Sequence, residues 1–69
     1  MNIVHSIVNY KGDCEPKIYG IDDGTLFESA IKESREMMNG YDYIEEPYGD
    51  DHIALISENL IIDVYRTFL

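Results

Sequence analysis

Only one stretch of the 69 residues has helical periodicity, "TLFESAIKESREMMNG" at 25–40, and short β-type runs flank it on both sides. That pairing narrows the fold sharply, because a single amphipathic helix has nothing but a sheet to bury its apolar face against. Thr25 opens a capping box, in which its hydroxyl caps the helix and Glu28 reaches back to the cap amide. Phe27, Ala30, Ile31, Ser34 and Met38 follow at helical spacing, with Leu26 and Met37 widening the stripe. Asn39-Gly40 supplies a left-handed stop. Glu28, Lys32, Glu36 and Arg35 fall on the outer face, where opposite charges partly cancel. The helix reads as scaffold, and its methionines as core filler.

The rest reads as strand. Residues 2–10, "NIVHSIVNY", are rich in β-branched types and end at the Lys11-Gly12-Asp13 turn. Residues 16–21, "PKIYGI", form the second arm of a hairpin, with Gly20 suggesting a bulge or bend. "YDYIEE", "DHIALIS" and "LIIDVYRTF" follow the helix as a three-stranded meander, divided by the loop at 47–51 and a tight turn near Glu58-Asn59. The predicted fold class is α+β: one domain over 1–69, in the order β-β-α-β-β-β, with a mostly antiparallel sheet and the helix on one face. Leu60, Ile62, Val64 and Phe68 belong beneath the helix, which leaves Asp63 and Tyr65 on the other side. If register permits, Tyr41, Tyr43 and Glu45 join them there.

Charge is the strongest signal in the composition. The net charge is −9, and it is uneven: residues 36–69 carry eight acids against Arg66 alone. The segment "YDYIEEPYGDDH" at 41–52 has five carboxylates, three tyrosines and no lysine or arginine. Such a field repels nucleic acid, whose binding depends on Lys and Arg displacing counterions, and it favours basic protein surfaces in a salt-sensitive way. No run of about 18 apolar residues is present to span a membrane. The opening "MNIVHSIVNYKGD" lacks the pattern of a secretory signal, and a single cysteine, Cys14, suits a reducing compartment. The expected location is the cytoplasm, that of a host cell if the protein is phage-encoded.

No catalytic constellation is legible, so no enzyme is expected. His5 reads as a structural strand residue, and His52 follows Asp50-Asp51, hinting at an Asp–His pair without a nucleophile placed to use it. Cys14 sits among acids, which blunts its reactivity. One cysteine and two distant histidines make no zinc set, and neither Asp22-Asp23-Gly24 nor Gly49-Asp50-Asp51 matches a calcium loop. No phosphate loop is present. Neither a cofactor nor a metal is expected.

What remains is a binding surface. Tyr41, Tyr43 and Tyr65 are candidate anchors, since tyrosine offers large contact area at low entropic cost. Glu45, Glu46, Asp50, Asp51 and Asp63 are candidate partners for Arg and Lys. Carboxylates two apart on a strand are about 6.6 Å apart, similar in scale to successive nucleic-acid phosphates. A protein of this kind can therefore play the polyanion in a basic groove.

In length, acidity, element order and lack of a catalytic set, the chain resembles the small acidic anti-defence proteins of phages and mobile elements, including anti-CRISPR proteins and DNA mimics. That resemblance implies inhibition of a host nuclease or nucleoprotein complex by covering its basic DNA- or RNA-binding surface. "GTLFESAIKESREMM" is also similar to the helix of HicB-type antitoxins, which implies a small basic RNase toxin as partner. The usual proline-glycine stretch of that family is replaced here by "PKIYGIDD", and a C-terminal DNA-binding segment is not expected. The third reading is an orphan subunit whose acidity serves solubility. An exposed edge strand also offers a route to a homodimer. On the inhibitor reading, reversing Glu45, Glu46, Asp50 and Asp51 to lysine leaves folding intact and abolishes binding to the partner, as measured by calorimetry.

Overall fold

The computed structural model describes residues 2–12, 15–21 and 26–68. Five strands and one helix follow in the expected order: β1 (Asn2–Tyr10), β2 (Lys17–Ile21), α1 (Phe27–Met37), β3 (Tyr43–Pro47), β4 (His52–Ser57) and β5 (Leu60–Phe68). The strands form one antiparallel sheet in the order β2-β1-β5-β4-β3. The chain is therefore α+β, with the helix over one face of an open sheet.

The long strands β1 and β5 lie at the centre, paired from Asn2↔Phe68 to Tyr10↔Leu60. β2 and β3 are the edges, about 19 Å apart at four strand spacings. An 11-residue helix is about 16 Å long, enough to carry the chain from one edge to the other across the sheet. This crossing puts the helix over the middle strands. Val4 and Val8 of β1, Leu55 of β4, and Leu60, Ile62 and Val64 of β5 are buried beneath it with Ala30 and Met38. Phe27, Ile31, Tyr10, Tyr43 and Ile53 pack around this cluster.

The helical stripe is narrower than its sequence suggests. Phe27, Ala30, Ile31, Ser34 and Met38 do face the sheet, whereas Leu26 is 66% exposed and Met37 41%. Leu26 precedes the first helical turn as its N-cap residue, and Met37 lies round the helix from Ser34 and Met38. The cap position makes no side-chain hydrogen bond. Thr25, expected to supply one, lies outside the described residues, as do Asp13, Cys14 and Asp22-Asp23-Gly24. The buried Ser34 hydroxyl donates to the Ala30 carbonyl one turn back, at 2.9 Å, so its burial leaves no unmet donor. Gly40, at φ +93°, ends the helix in the left-handed conformation that the Asn39-Gly40 pair predicts.

Two further details differ from expectation. The β1–β2 register runs through His5↔Gly20 without interruption, so Gly20 marks no bulge. Phe68 lies on the helix side of β5 but is 63% exposed, because the strand extends past the end of the covered core.

Register makes a sharp test of this arrangement, since a one-residue slip of a strand exchanges its two faces. Leu55→Ala empties a fully buried site and should cost about 2–5 kcal/mol in a denaturant titration. Ile44→Ala, on exposed β3, should stay within about 0.5 kcal/mol of the parent. The reverse ranking would mean that the meander pairs in another register.

Candidate functional site

Every position of β3 after Tyr43 is exposed, as expected of an edge strand with the helix set towards the sheet centre. Pairing of Tyr43↔Ser57, Glu45↔Leu55 and Pro47↔Ile53 puts those three β3 residues on the helix side, level with Leu55. Ile44 and Glu46, opposite Ile56 and Ala54, point to the other face. The register thus separates the expected group. Tyr43 and Glu45 lie on one side of the sheet, and Asp63 and Tyr65 on the other. Tyr41 lies before β3 in the turn closed by its amide on the Met38 carbonyl, at 2.9 Å.

Two arginines from outside the acidic segment reach into it. The Arg35 guanidinium grips both oxygens of Glu45, Nε to Oε2 at 2.9 Å and Nη2 to Oε1 at 2.8 Å. This fork lashes α1 to the edge strand, and its hydrogen bonds hold the Glu45 carboxyl below its ordinary range. Arg66, on the helix side of β5, donates from Nε to Asp51 Oδ1 and from Nη2 to the Asp50 carbonyl, each at 2.9 Å. Its guanidinium also lies 4.9 Å from the Phe27 ring centre and 5.3 Å from that of Phe68. The Arg66 amide donates to the Asp51 carbonyl at 2.8 Å, so the loop after β3 is pinned to β5 by backbone and side chain together.

Glu45 and Asp51 are therefore committed to holding the fold. A reversal of all four acids, as the sequence invites, would break both ion pairs and confound folding with binding. Asp42, Glu46, Asp50 and Glu58 make no ion pair among the described residues. Of these, Glu46 and Asp50 stand beside Tyr48, which is 53% exposed. Hydrogen bonding to Glu46, with smaller contributions from burial and from the charges of Glu46 and Asp63, raises the Tyr48 phenol above its ordinary value.

The face away from the helix carries a feature the sequence reading missed. His5, Tyr65 and His52 lie side by side across β1, β5 and β4, and Tyr48 continues the row. The rings stack in succession, with centroid separations of 5.1, 4.1 and 4.9 Å and interplanar angles of 14°, 20° and 27°. His52 Nε2 lies 2.8 Å from Asp63 Oδ1, which makes that nitrogen the donor to the carboxylate. The acid partner of His52 is thus Asp63 from the neighbouring strand and not Asp50 or Asp51. Burial, then the nearby Asp63 charge, raises the Tyr65 phenol. The signal for this arrangement was the two-residue turn at 58–59, which sets His52 opposite Tyr65 once Ser57 and Leu60 are paired.

Chemically, the rings use their faces on one another, and His52 uses a nitrogen on Asp63. Among the described residues no three His, Cys, Asp or Glu converge as a metal set. A hollow of about 350 Å³ lies at the far end of β1 and β5, lined by Asn9, Tyr10, Lys11 and residues 58–61, and none of the candidate residues borders it. No helix among the described residues is long and apolar enough to cross a membrane. No family model, curated protein or solved structure matches the chain.

The Arg35–Glu45 fork has a defined pH signature. Because folding lowers the Glu45 pKa, its contribution is present above the ordinary carboxylate value of about 4.3 and is lost as pH falls through the depressed one. Glu45→Gln should cost at most about 1 kcal/mol at pH 7, since both partners are partly exposed. The gap to the parent should close on acidification in paired denaturant titrations, and a gap that persists to pH 2 would reject an ionic origin.

Proposed function

We propose that this chain is a non-catalytic acidic binding protein that inhibits a nucleic-acid-binding complex of a host cell by occupying its basic DNA- or RNA-binding surface, in the manner of anti-CRISPR proteins and DNA mimics. The observation that carries this reading is the β3 edge. Tyr41, Ile44, Glu46, Tyr48 and Asp50 are exposed along one short segment with no lysine or arginine in it. The two arginines that reach the segment are spent on Glu45 and Asp51, leaving the carboxylates of Glu46 and Asp50 outside any ion pair among the described residues.

Rigidity supports the same reading. The Asp50 carbonyl is held by Arg66 and the Tyr48 amide donates to the His52 carbonyl at 2.9 Å, so the backbone of this loop is already ordered. A pre-ordered acidic loop loses little conformational freedom on docking. Within the proposed interface Tyr41 and Tyr48 are anchors, and Glu46 and Asp50 meet Arg or Lys of the partner. Glu45 and Asp51 act as braces behind them. Asp63 and Tyr65 lie further in on the open face and are secondary.

The test is a Glu46→Lys, Asp50→Lys double variant, which spares both arginine pairs. Tagged parent protein should retain one nucleic-acid-binding complex from bacterial lysate, released by raised salt and competed by DNA or RNA. The double variant should keep the parent's circular dichroism and lose at least about 10-fold in affinity for that complex. Unchanged affinity would remove the β3 edge from the account. Retention of a small basic RNase instead would favour an antitoxin.

A further inference from the structure

The sheet has two faces and one helix, so one face is uncovered. Ile3, Ile7, Ile18, Ile44, Ile56 and Ile61 all point to that side, opposite the helix, by the pairings of their strands. Ile18 is 67% exposed, Ile44 63% and Ile61 38%. Exposed apolar side chains gathered on one open sheet face make it a candidate contact site. We propose that it docks face to face on the same surface of a second copy of this chain, making a two-layer sheet packing.

Charge selects that occupant. Against a net charge of −9, the described side chains of this face include two carboxylates, Asp63 and Glu46. Asp63 lies mid-face and is already met by His52 at 2.8 Å, so it enters a dry contact with its partner in place. Glu46 lies on the edge strand, at the rim. Inward of that rim a basic partner finds little to bind and a polyanion nothing. Two copies of so acidic a chain repel one another over most of their surfaces, and this is where they can approach with a single unpaired carboxylate apiece, Glu46 at the rim.

Size and rigidity fit. β1 and β5 each present four positions to this face, β4 three, and β2 and β3 two each; at about 4.8 by 6.7 Å per position this is a footprint of about 500 Å² per copy. The total of about 1,000 Å² reaches the size that separates a biological interface from a chance contact. The stacked row of His5, Tyr65, His52 and Tyr48 is already ordered, which lowers the cost of docking. A thin core gives the second copy a purpose, since a chain this short covers only about 60% of its unfolded surface.

This face shares Ile44, Glu46 and Tyr48 with the proposed β3 edge, and salt separates the two kinds of contact. Screening weakens binding of an acidic edge to a basic partner, but it strengthens self-association of an apolar face between like-charged copies. Sedimentation equilibrium of the full chain, with no partner present, should give a dimer at ~10–100 μM whose fraction rises with salt. Ile18→Lys with Ile61→Lys, both on exposed side chains, should weaken it at least about 100-fold while the circular dichroism is kept. The lysines reduce the net negative charge, so dissociation would reflect lost apolar contact. A monomeric parent at 1 mM, a dimer that dissolves as salt rises, or a dimer that survives the double variant would each overturn the proposal.

Discussion

The fold depends on the pairing of its first strand with its last. β1 and β5 form the longest ladder in the sheet, and every other element attaches to that pair. β2 pairs with β1, β4 and β3 hang on β5 through the meander, and the helix covers the side chains that β1 and β5 bury. The pairing of Asn2 with Phe68 closes almost the whole chain into a loop. Loop entropy grows only slowly with length, so this closure is thermodynamically tolerable, but non-local pairing makes the search for it slow. Val4, Val8, Leu60, Ile62 and Val64 of this ladder are the buried floor on which Met38 and Leu55 pack, so local elements have little to stabilise them before it forms.

That dependence explains which parts of the molecule the sequence could show. The helix was legible from Phe27 to Met38 because its period is a local property, and Gly40 marked its end. The meander was legible for the same reason, and the two-residue turn at Glu58-Asn59 even determines that His52 faces Tyr65. The position of β3 against β4 was not. A longer loop separates those strands, and alternation alone does not say whether Glu45 or Glu46 faces the helix. The partial burial of Tyr43 and the commitment of Glu45 to Arg35 therefore emerged only from tertiary pairing. The ring ladder needed one further non-local fact, the β1–β5 register, which brings His5 to Tyr65.

The acidic segment also changes meaning once its neighbours are known. Its lack of internal cations looked like a uniform negative field. In three dimensions Arg35 reaches in from the helix and Arg66 from β5, ten and fifteen positions away from the acids they meet. Arg66 lies between the rings of Phe27 and Phe68, which set its direction. The remaining negative charge is more localised than the composition suggests, and it lies on a backbone those arginines hold still.

The row of rings on the open face has a spectroscopic corollary. Aromatic protons above a neighbouring ring resonate far upfield, so Tyr65, sandwiched between two imidazoles, should have the most displaced aromatic signals in the proton spectrum. The chain contains no tryptophan, which leaves those signals free of indole overlap. They depend on three strands remaining aligned to within a fraction of an ångström. The protein thus carries an unlabelled gauge of the alignment of β1, β5 and β4, and its reading changes whenever that face is twisted, covered or pulled apart.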